Sequence, residues 1–344
     1  VAIVVVGGGA IGLLVAGRMV QSSQQVAVLA RPKVVAALAT HPLHITQKKD
    51  AQSIARLIPA VDPASLPVTY QNPELAILSV KGYDTAGAIP TLQALNPQRV
   101  LTLQNGLGNE EVLAASLGPE RVLAGAITSS VEPTGADAIT VTKSGGICLA
   151  PIGGVPDLAP YAAMFRSAGF TTKIYPNYRA LKWSKALLNM LGNATSAILD
   201  MSVETVYADP RMVALERDAF LEGLEVMQHL GIKPVNLPGY PAAMLARVMQ
   251  RLPFPILLHL LRKAIAGGRG GKAPSLQRDV QQQRKHTEGD YLYGAIARTA
   301  SQIGVVAKVN AALWFVLQGI VEGTIPRDYF RHNPERLLAS LGRK

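Results

Sequence analysis

Short apolar runs alternate with helical stretches through the first half of the chain. Residues 1–6, 26–29, 76–80, 100–103 and 122–126 are runs of four to six residues dominated by Val, Ile, Leu and Ala. Such runs suit strands buried on both faces of a parallel sheet. Residues 10–21 and 33–40 lie between them at crossover positions, as repeated βαβ units require. From about 131 to 174 the pattern changes to Thr- and Gly-rich segments, such as 138–142 and 146–150, which predict antiparallel additions at a sheet edge. Beyond Pro176 the long Ala/Leu-rich stretches 179–199, 210–230, 241–250, 289–303 and 308–322 dominate. Their apolar residues recur at three- and four-residue spacing, the pattern of helices packed on helices. The architecture expected is an α/β domain over residues 1–176 followed by an all-helical domain over 177–344.

Composition narrows the class. At 344 residues the chain has room for two domains of roughly 150 residues. With 49% hydrophobic and 17% charged residues, it has too much apolar material for intrinsic disorder. The single cysteine, Cys148, excludes a disulfide framework and fits a reducing compartment. Lys and Arg exceed Asp and Glu by 34 to 23, a net charge of +11 that favours anionic partners without choosing among them. Aromatic residues at 5%, with no clustered stacking motif, argue against a nucleic-acid partner. The uncharged opening lacks a basic leader and meets Arg18 before the roughly 20 apolar residues of a bilayer span. Residues 252–261 are also too few, and they include Pro253, Pro255 and His259. These features predict a cytoplasmic protein with no membrane partner. The six histidines show no metal-ligand spacing, so no metal is expected.

The first predicted strand runs into Gly7, Gly8, Gly9, Ala10, Ile11 and Gly12, a G-x-G-x-x-G turn that opens a helical stretch. Glycines there allow a tight turn, close backbone approach to a pyrophosphate and close helix–strand packing. The helix N-terminus adds unsatisfied N–H groups and a positive dipole end. This defines a Rossmann-type dinucleotide-binding domain. Arg31 stands 19 residues after Gly12, at the end of the second strand, where an NAD site places an acid for the ribose 2′-hydroxyl. A guanidinium can instead bind a 2′-phosphate with two charge-assisted hydrogen bonds. The expected cofactor is NADP(H); the alternative is an ordinary surface arginine.

Three further motifs follow in order. Ser79-Val80-Lys81 ends one buried strand, Gln104-Asn105-Gly106 follows the next, and Trp183, Lys185, Asn189 and Asn193 lie on the first helical stretch of the second half. With the glycine turn and the later Pro274-Ser275 and Thr287-Glu288 pairs, the chain resembles the ketopantoate reductase (2-dehydropantoate 2-reductase) family over nearly its whole length. The resemblance implies reduction of the 2-keto group of ketopantoate by NADPH to (R)-pantoate, a step towards pantothenate and coenzyme A. It implies that Lys185 is catalytic, that Asn189 and Asn193 bind substrate, and that Ser275 holds the carboxylate end. It also assigns Lys81, Asn105 and Glu288 to the nicotinamide-ribose region. Lys272, three residues before Ser275, stands where many relatives carry an asparagine and is a further candidate for the small-molecule 2-keto acid.

Elementary chemistry is compatible with these roles. Residues 185, 189 and 193 are spaced i, i+4, i+8, which on a continuous helix puts them along one face. A lysine ammonium can protonate the alkoxide left by hydride transfer and stabilise it as it forms. Asparagines can donate and accept without adding charge. Each position also has a plain structural reading. Lys185 could be a solvated helix lysine, Lys81 a loop lysine, and Asn105-Gly106 a turn dipeptide. Glu288 belongs to a sequence resembling a capping box, and Ser275 could cap a helix. Residues 247–287 carry nine Lys/Arg against the one acid Asp279. That segment could attract a carboxylate substrate, meet another subunit, or be a solvated basic helix pair. Two alternatives stay open, an NADPH-dependent reductase of another branched 2-keto acid on the same scaffold and a non-catalytic dinucleotide-sensing or nucleic-acid-binding protein, and the apolar helical half would suit a homodimer interface.

Overall fold

A computed structural model describes residues 1–47, 50–53, 56–154, 157–268 and 273–343. It divides into two compact units, Val1–Lys182 with Leu237–Tyr240, and Trp183–Asn236 with Pro241–Lys344. The first opens with β1 (Ala2–Val6), α1 (Ala10–Gln21), β2 (Gln25–Leu29), α2 (Pro32–Thr40), β3 (His44–Gln47), β4 (Asp50–Ser53) and β5 (Ile58–Ala60). It continues through β6 (Leu75–Leu78), α3 (Thr85–Leu95), β7 (Arg99–Thr102), α4 (Asn109–Leu117), β8 (Val122–Ile127), β9 (Ser130–Pro133), β10 (Ala138–Lys143), β11 (Gly146–Pro151), α5 (Ala159–Ser167) and β12 (Thr171–Ile174).

The main sheet has the order β12-β11-β8-β7-β6-β1-β2-β5. Within it β5-β2-β1-β6-β7-β8 is all parallel and reads 3-2-1-4-5-6, the doubly wound order of dinucleotide-binding folds. Along β1 the alternate side chains divide between two cores. Ile3 and Val5 pack in one, while Val4 and Val6 pack in the other. That is why the strand sequence shows no polar alternation. The strand order reverses beside β1, whose neighbours are β2 and β6, so the ends of β1 and β6 open at the place where such sheets bind ligands.

The later strands depart in part from expectation. β11 does add to the main sheet antiparallel to β8. β10, expected at the same edge, instead pairs with β9 and β3 in a separate four-stranded sheet, β4-β3-β10-β9. Two strands of that sheet, β3 and β4, are short and polar with a composition that resembles loop, so sequence patterning gave no reason to predict it.

Helices follow. The boundary between the units falls inside α6 (Tyr178–Met190), between Lys182 and Trp183. The second unit then runs α7 (Asn193–Leu199), α8 (Val203–Ala208), α9 (Pro210–His229), α10 (Ala242–Arg251), α11 (Phe254–Gly268), α12 (Ser275–Gln281), α13 (Ala295–Gln302), α14 (Lys308–Glu322) and α15 (Pro334–Ser340). No helix among the described residues is long and apolar enough to cross a membrane. The 20-residue α9 starts with Asp209 accepting the Arg211 N–H and Pro210 in the first turn, and it buries Met212, Leu215, Phe220 and Leu224 along one side.

The stretch 179–199 is two helices and not one. Gly192 sits at φ 66° between α6 and α7, and its N–H donates to the buried Glu216 carboxylate. A side chain there would collide with Val203 Cγ1 at 2.7 Å, so glycine is required for close packing as well as for backbone angle.

Asp200 ends α7, also in the left-handed region at φ 50°. Its carboxylate accepts from Gln281 Nε2 at 2.8 Å and Gln277 Nε2 at 3.4 Å, and it faces Arg331 Nε at 3.2 Å. The Gln281 bond leads in holding the Asp200 carboxyl below the usual carboxylate range, with partial burial opposing it. A depressed native value contributes stability above the unfolded-state value and loses it as pH falls through the native one. Asp200→Asn is therefore expected to destabilise the protein near neutrality, with a gap that begins to close only as pH falls below about 4 and disappears through the lower native value. Urea midpoints measured across that range check this; a gap independent of pH would contradict it.

Candidate functional site

The glycine turn is built by the close approach of three elements. Gly7, at φ 118°, donates its N–H to Leu29 O at 2.9 Å, tying the end of β1 to β2. On its other side the Ser79 hydroxyl, just past β6, donates to Gly7 O at 2.9 Å. A Cβ on Gly12 would stand 2.0 Å from Gly7 O, so α1 can begin this close to the strand only with glycine there. Gly8 presses on Ala30, where a Cβ would meet the Ala30 Cβ at 2.5 Å, whereas beside Gly9 the space is open. Ala10 and Ile11 begin α1, whose N-terminus carries no side-chain cap and whose first turn holds no acid. Open space, uncapped N–H groups and no competing carboxylate fit a pyrophosphate.

Arg31 follows Ala30 directly, at the N-cap of α2. Its side chain is exposed and makes no hydrogen bond or ion pair with any described residue. The guanidinium is thus adjacent in sequence to the residue packed on Gly8 and is not committed to a protein carboxylate.

Lys81 and Asn105 are joined underneath by a buried polar network. Gln104 Nε2 donates to Lys81 O at 3.2 Å and to Thr85 Oγ1 at 2.8 Å, and its Oε1 accepts from Thr102 Oγ1 at 2.9 Å. Asn109 Nδ2 donates to Asn105 O at 3.1 Å, while its Oδ1 lies 2.9 Å from Thr85 Oγ1. Lys182 reaches the same loop from α6. Its Nζ donates to Gln104 O at 2.6 Å and Gly125 O at 3.3 Å, and it pairs with Glu110 Oε1 at 2.8 Å. Lys182 and Glu110 keep 3% and 1% of their side-chain surface, so this is a fully desolvated ion pair. Burial pushes the Glu110 carboxyl up, and the Lys182 ammonium opposes that shift. Lys81 and Asn105 themselves are half-buried.

In the helical unit, Lys185 and Asn189 lie one turn apart on α6 and are both half-buried. Asn189 Nδ2 is buried without a hydrogen-bond partner among the described residues. Asn193 does not continue their helix, because the Gly192 turn intervenes and Asn193 opens α7. Contact is nevertheless kept: Asn193 Nδ2 donates to Asn189 O at 3.0 Å, and its Oδ1 accepts from Leu276 N–H at 3.2 Å. Asn193 therefore connects the end of α6 to the first turn of α12, where the half-buried Ser275 is the first residue. Ser275 makes no side-chain cap; Pro274 precedes the helix instead. Lys272 and the glycine-rich segment around it lie outside the described residues.

Glu288 is buried at 3% exposure. The capping-box pattern around it forms only in part. Thr287 Oγ1 accepts the Gly289 N–H at 3.4 Å, but Asp290 pairs with Arg298 Nη1 at 2.7 Å. The helix expected over 289–303 begins with a π turn, Asp290–Gly294. That turn carries Tyr293, whose hydroxyl donates to Met190 O and accepts the Ala194 N–H at 3.0 Å. Tyr293 thus joins the last carbonyl of α6 to the start of α7. Glu216 braces the same break, accepting from Gly192 N–H at 2.8 Å and from the Thr195 hydroxyl at 2.5 Å. Sequence reading quoted Gln104 within a motif without giving it a role, and it missed Glu110, Lys182, Glu216 and Tyr293. The available signal was the presence of charged or amide residues inside apolar stretches, which does not extend to Tyr293.

Comparison with known proteins agrees with this geometry. The N-terminal model of the ketopantoate reductase PanE/ApbA family matches residues 3–154, and its C-terminal model matches residues 177–321. The chain is 30% identical to 2-dehydropantoate 2-reductase of Halobacterium salinarum over 67% of its own length and 76% of the relative's. It is 24% identical to the enzyme of that name from Pyrococcus abyssi, over 92% of this chain and 97% of the other. A solved ternary structure of D-mandelate dehydrogenase with NADH and anilino(oxo)acetate shares the fold at a TM-score of 0.79 and 19% identity, covering 94% of this chain and 99% of that one. The chain belongs to the ketopantoate reductase family, whose members are oxidoreductases working with a nicotinamide dinucleotide.

Tyr293→Phe should leave the Met190 carbonyl and Ala194 N–H without their buried partner and lower stability by about 1–3 kcal/mol. Urea unfolding measures this, and an unchanged midpoint would show that the hydroxyl does not hold the break.

Proposed function

We propose that the protein reduces 2-dehydropantoate to (R)-pantoate with NADPH. In this reading residues 1–176 bind the dinucleotide and residues 177–344 bind substrate and supply the catalytic group. The observation that carries it is the pair on α6: Lys185, with Asn189 one turn on, whose Nδ2 is buried and unpartnered. A buried donor left unpaired is costly. A ligand oxygen accepting from it would remove that cost, and a 2-keto acid brings several.

The bound dinucleotide supplies the hydride. Lys185 donates a proton to the resulting alkoxide oxygen, and its positive charge stabilises that oxygen as it develops. Asn189 donates from Nδ2 to a substrate oxygen. Asn193, with both ends of its amide engaged by the protein, holds the start of α12, and Ser275 there offers a hydroxyl to the carboxylate end. Glu288 and Lys272 are proposed to complete the surroundings of the ribose and the substrate respectively. Gly7, Gly8, Gly9, Ala10, Ile11 and Gly12 hold the pyrophosphate, and Lys81 and Asn105 flank the nicotinamide ribose. Arg31, uncommitted to any described carboxylate, binds the 2′-phosphate. The lone cysteine supports a cytoplasmic location, and the apolar helical unit supports a homodimer.

A second reading is a reductase of another branched or aryl 2-keto acid, favoured by the shared fold of D-mandelate dehydrogenase. Steady-state assays with ketopantoate, 2-ketoisovalerate and benzoylformate separate the two. Ketopantoate is expected to lead in kcat/KM by tenfold or more, about 1.4 kcal/mol of discrimination; a lead for either competitor overturns the first reading. Lys185→Ala should lower kcat by roughly 10² to 10⁴ with dinucleotide binding retained. Arg31→Ala should weaken NADPH by about 1.5–3 kcal/mol and leave NADH nearly unchanged. Equal losses for both would remove Arg31 from the 2′-phosphate.

A further inference from the structure

The Lys182 ammonium donates to two main-chain carbonyls, those of Gln104 and Gly125, and forms an ion pair with the Glu110 carboxylate. At 3% exposure it is screened from solvent. Its effect is to pin the main chain of the loop after β7 against β8, on which Gly125 lies. One residue along the loop is Asn105. The Gln104 side chain, clamped at Oε1 by Thr102, extends the restraint sideways to the Lys81 carbonyl after β6.

Two loops from neighbouring strands are therefore fixed to each other and to a buried charge pair through a single residue, Gln104. We propose that Gln104, anchored by the Lys182–Glu110 pair, is a positioning residue that holds Lys81 and Asn105 in one fixed relation around the nicotinamide end of the cofactor. The proposal rests on the reading that those two residues flank the nicotinamide ribose. None of the Gln104 and Lys182 hydrogen bonds reaches the glycine turn or Arg31, so the adenosine end should not depend on them.

That asymmetry is testable by ligand dissection. The full dinucleotide NADPH touches both ends, whereas adenosine 2′,5′-bisphosphate reaches only the glycine turn and Arg31. Gln104→Leu keeps the side-chain volume and removes both bonds from Nε2. It is expected to raise the NADPH Kd about five- to tenfold, the worth of roughly one or two hydrogen bonds. The Kd for adenosine 2′,5′-bisphosphate should change by less than about twofold. Lys182→Met combined with Glu110→Leu removes both buried charges together, leaving neither stranded, and should give the same pattern if it folds. Equal weakening of both ligands in Gln104→Leu, or no change in either, overturns the proposal. Failure of the NADPH reading has a different sign, since the unsubstituted protein would then bind adenosine 2′,5′-bisphosphate no better than 5′-AMP. The same comparison run with NADH against ADP-ribose then decides the role of Gln104 on its own.

Discussion

Lys182 carries an ammonium into the interior of the α/β unit, and the surrounding backbone is organised by the need to satisfy it. An isolated buried charge costs several kcal/mol even after relaxation. Here a carboxylate and two main-chain carbonyls surround the nitrogen; one carbonyl, Gln104's, belongs to the loop after β7, and the other, Gly125's, to the sheet strand β8. The loop after β7 would otherwise be a Gly-rich turn, with Gly106 and Gly108 both at positive φ. The charge pair makes it a fixed platform. Removing one partner alone would strand the other, so the arrangement is cooperative by construction.

The helical unit handles a comparable problem with neutral groups. The α6–α7 break leaves main-chain donors and acceptors without helical partners, and Glu216 and the Tyr293 hydroxyl provide them. A helix interrupted in this way directs Asn189 and Asn193 differently from an unbroken one. Asn193 spends its amide on the protein, whereas Asn189 retains an unpaired donor. Two residues of one type, four apart, thereby take up different tasks.

Much of the first unit was legible in the sequence because its parallel strands are buried on both faces and show as unbroken apolar runs. The glycine turn was legible because the chemistry of close approach admits no other residue, as Gly12 against Gly7 O illustrates. The sheet β4-β3-β10-β9 was not, since β3 and β4 are short and polar in sequence. The helix break escaped because 185, 189 and 193 keep a perfect four-residue spacing through it. Only Gly192, a poor helix former, signalled a change of direction. The buried pair escaped for a different reason: Lys182 and Lys185 lie three apart on one helix, and nothing in their spacing says which is enclosed. Family resemblance singled out Lys185 by motif, and it did not reveal that Lys182 is the one enclosed within the α/β unit.

The π turn at 290–294 has a further consequence. A π turn accommodates one residue more than the α-helix it interrupts. Excising a single residue from it would restore ordinary winding and swing every preceding side chain by about 100°. Tyr293 would then rotate off the seam it closes, and the Met190 carbonyl and Ala194 N–H would lose its hydroxyl. The length of the chain between Asp290 and Gly294, as much as the identity of any residue in it, is thus what keeps the two asparagine-bearing helices in register.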